Sequence, residues 1–205
     1  MILVVISVIV TQMALCYYFF MIKAKGPILK SVLKYIKGHL GESGYEAFLK
    51  TLPEDIQKVL ARPILTSEFY PSDIIVGIMD AYVKQGDLDA AKVFHDMGRV
   101  SADEGFTGIY KIFLKVGSPA MMIRQAPLIF KSYYSQGKME AEVVSKNDAN
   151  VKITGAEFGH PALCTRITGF IERTMELSGG KSVRLTHTKC ESRGDDEEFW
   201  YGLWE

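Results

Sequence analysis

Cysteine is scarce in this chain, with only Cys16, Cys164 and Cys190 among 205 residues. A secreted disulfide framework needs an even, closely spaced set, so that class is excluded and a reducing compartment, the cytoplasm, is expected. An excess of charge of one sign is also missing, because Lys plus Arg and Asp plus Glu both number 24. Without a basic field nothing is there to hold a nucleic-acid backbone, and nucleic acid is not expected as a partner. No Pro/Ser-rich linker divides the chain, and residues 23–205 read as a single domain. Neither an internal repeat nor a low-complexity tract occurs. The motifs of catalysis are absent too: there is no Gly-x-Ser-x-Gly elbow, no phosphate-binding glycine loop and no His-Glu-x-x-His. No enzymatic activity is expected.

What is present begins with an uncharged run, Met1 to Ile22, of a length that could span a bilayer. It lacks the basic start and the small-residue cleavage point of a secretory signal. Lys23, Lys25, Lys30, Lys34 and Lys37 follow it instead, and the positive-inside bias would keep the folded part in the cytoplasm. Three readings of residues 1–22 stay open: a membrane anchor, a buried N-terminal strand or helix, or residues ahead of a start at Met21.

Beyond it the apolar residues fall at helical spacing. Ile28, Leu29, Val32, Leu33, Ile36 and Leu40 form one face of a helix over Pro27–Leu40. Two short helices are predicted within Ser43–Leu60, the second opened by Pro53. A further helix runs from Ile74 to a stop at Gly86, and Asp87 is placed to cap the next. Ile109, Tyr110, Phe113 and Leu114 continue the helical part, and Gly117-Ser118-Pro119 restarts it. After Gly137 the period changes to two: Met139, Ala141 and Val143 alternate with Glu140 and Glu142, and a turn leads to Val151 and Ile153. His160-Pro161 opens a last helix that ends at Gly179-Gly180, and a second hairpin pairs Val183–Lys189 with Glu197–Trp204. The fold class is therefore α+β: an N-terminal multi-helix layer packed on a small antiparallel sheet made of two hairpins separated by a helix.

Three stretches carry a family resemblance: His160-Pro161-Ala162-Leu163-Cys164, then Gly169-Phe170, then Thr186-His187-Thr188-Lys189-Cys190-Glu191-Ser192-Arg193-Gly194-Asp195. Together they resemble the 4-vinyl reductase domain, over about the last seventy residues. Upstream, Met97-Gly98-Arg99 and Tyr133-Tyr134 add support. Fold relatives of that family include ligand-sensing domains of aromatic-catabolism activators, TRAPP trafficking subunits and haem-nitric-oxide-binding sensors. Fold kinship of this breadth does not hand over a function.

The resemblance implies a metal site at Cys164, His187, Cys190 and Glu198, with zinc as the metal. His187 and Glu198 depart from the family's Glu and Cys, and a hard oxygen in place of a thiolate weakens such a site. His187 and Cys190 would point to opposite faces of a regular strand, so the strand must end or bulge at Lys189. The bland alternative is a core cysteine on a helix and a solvated histidine on a strand. A ligand pocket is expected between sheet and helices, lined by Phe113, Val143, Ile167 and Leu185, although the same residues could fill a solid core. For haem, the sensor relatives use a helical His and a Tyr-x-Ser-x-Arg motif. Tyr133 and Ser135 are present, but Gly137 stands in place of the arginine and His95 is a lone candidate ligand, so haem is not expected. The function implied is a non-catalytic sensor that takes a small apolar or aromatic ligand and forms a homodimer. The alternative is a dimeric scaffold resembling TRAPP subunits without a ligand.

Overall fold

The computed structural model describes residues 22–106 and 117–205. The apolar segment up to residue 21 lies outside the described residues, as do Ile109, Tyr110, Phe113 and Leu114. Among the described residues no helix is long and apolar enough to cross a membrane.

The chain opens with strand β1 (Lys23–Lys25), helix α1 (Gly26–Thr51), α2 (Glu54–Leu60), β2 (Phe69–Pro71), α3 (Ser72–Gly86), α4 (Ala90–Gly105) and α5 (Pro119–Tyr133). The hairpin β3 (Lys138–Val143) and β4 (Asp148–Thr154) follows, then α6 (Pro161–Leu177), then the hairpin β5 (Arg184–Lys189) and β6 (Glu198–Leu203). This is the α+β order read from the sequence, with the two hairpins separated by a helix.

Helix α1 buries Ile28, Leu29, Val32, Leu33 and Ile36 and leaves Lys30, Lys34 and Lys37 in solvent, as its 3.6-residue period requires. Gly41, at φ 68°, divides it into two segments, since glycine takes the left-handed region without a Cβ penalty. Between α3 and α4 the structure corrects the cap. Asp87 is itself left-handed, at φ 47°, and closes α3, so capping of α4 passes to Asp89, whose Oδ1 accepts the Lys92 N–H at 3.1 Å. Ser118 caps α5 by accepting the Met121 N–H at 3.3 Å.

The four-stranded sheet has the order β3-β4-β6-β5, antiparallel throughout, so the hairpins join through β4 and β6 with Val151 opposite Trp200. Met139, Val151, Ile153, Leu185 and Trp200 are buried, and the Trp200 indole donates to Thr168 Oγ1 on α6 at 2.7 Å. A separate two-stranded ribbon, β1 with β2, was not expected from sequence.

Helices α4 and α6 cross with no side chain between their backbones. A Cβ at Gly98 would stand 2.0 Å from the Arg166 carbonyl oxygen, and one at Gly169 would stand 2.0 Å from that of His95. Charged pairs fasten the crossing on its outer side: His95 Nε2 to Glu172 Oε2 at 2.7 Å, Arg99 to both Glu176 oxygens at 3.0 and 2.7 Å, and Arg173 to Asp103 at 2.8 Å. The close approach places Arg166 beside Ser101 of α4.

Candidate functional site

Helices α1, α4, α5 and α6, with the start of β3, surround a cavity of about 430 Å³. That volume lies within the range of small-molecule sites, roughly 300–1,000 Å³. The wall is chiefly apolar: Ile28 from α1, Ile123 and Phe130 from α5, Met139 from β3, and Ile167 and Phe170 from α6. Lys30, Lys34 and Glu104 also border it, and Lys34 Nζ lies 2.5 Å from Glu104 Oε1.

One group on this wall is out of keeping with the rest. Arg166 is 2% exposed. Its Nη2 donates to Ser101 Oγ at 2.6 Å and its Nη1 to the Tyr134 hydroxyl at 3.4 Å, while Nε has no partner. Ser101 Oγ lies 2.5 Å from Ser31 Oγ of α1, so a polar seam joins three helices inside apolar surroundings. Among the described residues no carboxylate pairs with the guanidinium, and burial pushes Arg166 below its ordinary value. A buried charge is ordinarily paired, because taking it out of water costs several kcal/mol. The sequence carried a signal for this residue that its reading passed over. Arg166 follows Leu163 by three and precedes Phe170 by four, which sets a charge in the middle of an apolar stripe.

A second cluster lies where the first turn of α6 meets the β5–β6 hairpin. Cys164 Sγ is 3.5 Å from Cys190 Sγ, Cys190 Sγ is 3.6 Å from Glu198 Oε1, and His187 Nε2 is 2.6 Å from Glu198 Oε2. All four donor atoms lie within 4.8 Å of one another. Cys164, Cys190 and Glu198 are buried and His187 is half-buried, stacked on Trp200 at 4.4 Å. The ladder shifts register between His187 and Lys189, and β5 ends at Lys189, the irregularity that this set of side chains demands. Burial, then the Glu198 carboxylate, push the Cys164 thiol above its ordinary value.

Of the residues expected to line a pocket, Ile167 stands on the cavity wall. Val143 borders a shallow depression at the other end of the sheet, and Leu185 is buried against Gly202. Phe113 lies outside the described residues. Of the residues weighed for haem, Tyr133 lines the cavity, Ser135 Oγ accepts the Lys23 N–H at 2.8 Å, and His95 is turned to Glu172. Gly137 has a backbone reason to be glycine: it sits at φ 89°, and a Cβ there would meet the Ala156 Cβ at 2.9 Å.

Comparison of the whole shape brings out proteins of one kind. An H-NOX protein from S. oneidensis in its Fe(II)NO state superposes with a TM-score of 0.70 at 15% identity, covering 88% of this chain and 99% of that one. An Fe(II) unliganded H-NOX protein from K. algicida gives 0.68 at 10% identity, with 88% and 96% covered. The chain has the H-NOX fold. A structure concerned with modulating haem redox potential through protein-induced porphyrin distortion gives 0.62 at 11% identity, with 87% and 99% covered. No sequence-family model and no curated protein matches the chain.

These findings correct two expectations. The resemblance to the 4-vinyl reductase family does not stand, because the shape is that of H-NOX proteins and no family model matches. Its residues report local geometry that the fold itself demands. His160 caps α6 and Pro161 is its first residue, Gly169 is forced by the crossing with α4, and Gly194 sits at φ 95°. The cofactor expectation changes with it. Zinc followed from that family and gains no support from these neighbours. The exclusion of haem conflicts with a fold whose solved examples include Fe(II) and haem proteins. It rested on a missing arginine two residues after Ser135, yet the structure brings a guanidinium to Tyr134 from α6 instead. The described wall is chiefly apolar with one guanidinium, and none of His39, His95, His160 and His187 lines it.

Proposed function

We propose that this chain is a non-catalytic sensor domain of the cytoplasm, whose small-molecule ligand occupies the cavity beside α6. The observation that carries the reading is the apolar cavity of about 430 Å³ holding a buried polar anchor, in a fold whose solved neighbours include an Fe(II)NO protein. A ligand there touches α1, α4, α5 and α6 at once, and it favours whichever arrangement of these helices fits it best. Another chain, or a second copy of this one, reads the arrangement. Haem, when bound, would supply an iron centre for a diatomic gas, and the chain's own part is to enclose the ring with apolar side chains and exclude water. To test the reading, an apolar alcohol such as decan-1-ol is titrated by calorimetry into the wild type and into Ile167→Trp, whose indole narrows the cavity. Binding in the first and weaker binding in the second is expected. No heat in a folded wild type, with both the alcohol and hemin, refutes it.

The convergence of Cys164, His187, Cys190 and Glu198 supports a second element of the reading, a divalent transition-metal ion that ties α6 to the β5–β6 hairpin. Thiolate and imidazole suit such an ion. The sulfur pair at 3.5 Å is close to the edge of about 3.8 Å of a tetrahedron with metal–sulfur bonds of about 2.3 Å. His187 and Glu198, at 2.6 Å, would part by roughly half an ångström or more to bind the same ion. Cobalt(II) added to metal-free protein is expected to give thiolate charge-transfer absorption, lost in Cys164→Ala/Cys190→Ala. A folded wild type without that absorption refutes the site.

A further inference from the structure

We infer that the ligand of this cavity is an anion, an apolar molecule carrying a carboxylate, and that Arg166 is the residue that holds its charged end. The inference rests on the sensor reading above and gives the ligand a chemical class.

The argument is one of charge balance inside an apolar wall. Arg166 is buried, lines the cavity, and among the described residues its guanidinium bonds to hydroxyls alone: Ser101 at 2.6 Å and Tyr134 at 3.4 Å. A guanidinium offers five N–H donors in a planar fork shaped for a carboxylate, and Nε of this fork is unbonded. The other cations of the molecule's interior contacts are paired: Arg99 with Glu176, Arg173 with Asp103. Arg166 differs in being both the most buried of these and without a carboxylate partner among the described residues. Folding keeps a charge in such a place only at a cost, and a ligand carboxylate removes that cost when it binds. Ser31, Ser101 and Tyr134 fix the guanidinium from three elements, so its fork is set before the ligand arrives. Around it Ile28, Ile123, Phe130, Ile167 and Phe170 accept an apolar body and nothing polar. At the border Lys30 adds attraction for an incoming anion, while Lys34 is neutralised by Glu104. Both an aliphatic acid and a porphyrin with propionate arms carry this chemistry.

Calorimetric titration of the whole chain distinguishes the sources and the alternatives. One arm compares decanoate with decan-1-ol, and the other compares hemin with hemin dimethyl ester, followed by visible absorption. In the wild type the acid is expected to bind roughly ten- to a hundredfold more tightly than its neutral counterpart in at least one arm, as a charge-assisted hydrogen bond implies. Arg166→Met should erase that preference, and Arg166→Lys should keep part of it, with loss of the fork. The preference in the wild type is itself decisive should either variant fail to fold. Equal binding of acid and neutral partner overturns the anion inference and leaves the sensor reading in place. Absence of binding by all four overturns both.

Discussion

Removing the Arg166 charge should make the ligand-free protein more stable, not less. In Arg166→Met an unbranched side chain of similar reach replaces a guanidinium that is 2% exposed and has no carboxylate partner among the described residues. The loss is one good hydrogen bond, to Ser101 at 2.6 Å, and one long one, to Tyr134 at 3.4 Å, together about 1.5–3 kcal/mol. The gain is the desolvation penalty of an uncompensated interior charge, several kcal/mol. Ser101 remains bonded to the Met97 carbonyl and beside Ser31, and the hydroxyl that loses its partner is that of Tyr134, whose bond to Arg166 was already long. The balance is a stabilisation of about 1–3 kcal/mol, which for a chain of this length raises Tm by roughly 3–10 °C. Thermal unfolding followed by far-UV circular dichroism reads it directly. Saturating decanoate should reverse the order, because a ligand at a hundred times its Kd adds about 2.7 kcal/mol to the form that binds it. A folded Arg166→Met that melts well below the wild type without ligand would refute the reasoning, for it would mean that the guanidinium is already compensated.

Two further outcomes follow from the crossing of α4 and α6. Gly169→Ala, whose Cβ would stand 2.0 Å from the His95 carbonyl oxygen, should cost about 3 kcal/mol or more, seen as a lower urea midpoint, whereas Gly38→Ala, with open space around it, should leave the midpoint near the wild-type value or above it. The hydrogen bond to Glu172, opposed by burial and by Arg99 and helped by Glu172 and Asp96 charges, raises His95 above its ordinary 6.5. A raised folded value means that the folded state holds the proton more tightly, so the contribution is fully present below about pH 6.5 and is lost as pH rises through the folded value. Urea midpoints between pH 5.5 and 9 should therefore fall on the alkaline side in the wild type and flatten in His95→Gln; a slope unchanged by the substitution would remove His95 from the account.

Much of the architecture was legible because burial imposes a period. The stripe Ile28-Val32-Ile36 could only be a helix face, and the alternation of Met139, Ala141 and Val143 could only be a strand. The irregularity after His187 followed from asking one strand to aim His187 and Cys190 at the same place. What escaped was long-range. The β1–β2 ribbon is three residues long and has no period of its own. Arg166 looks like any helical arginine until Ser101, 65 residues away, is set beside it. The family resemblance failed for a related reason. Gly169, Gly194 and the His160-Pro161 start satisfy close approach, a left-handed turn and a helix cap, and such demands belong to a backbone shape rather than to one family.

Helix α6 touches the cavity through Arg166, Ile167 and Phe170 and meets the β5–β6 hairpin through Cys164. Its bare contact with α4, carbonyl against glycine, leaves no side chains to act as rollers. The two helices cannot turn past each other by exchanging rotamers, as interdigitated helices do; they can only move as one beam. A displacement at the cavity end of that beam would carry Cys164, about one turn away, along with it, and under the proposed sensor reading the sulfur pair is where such a displacement would be felt.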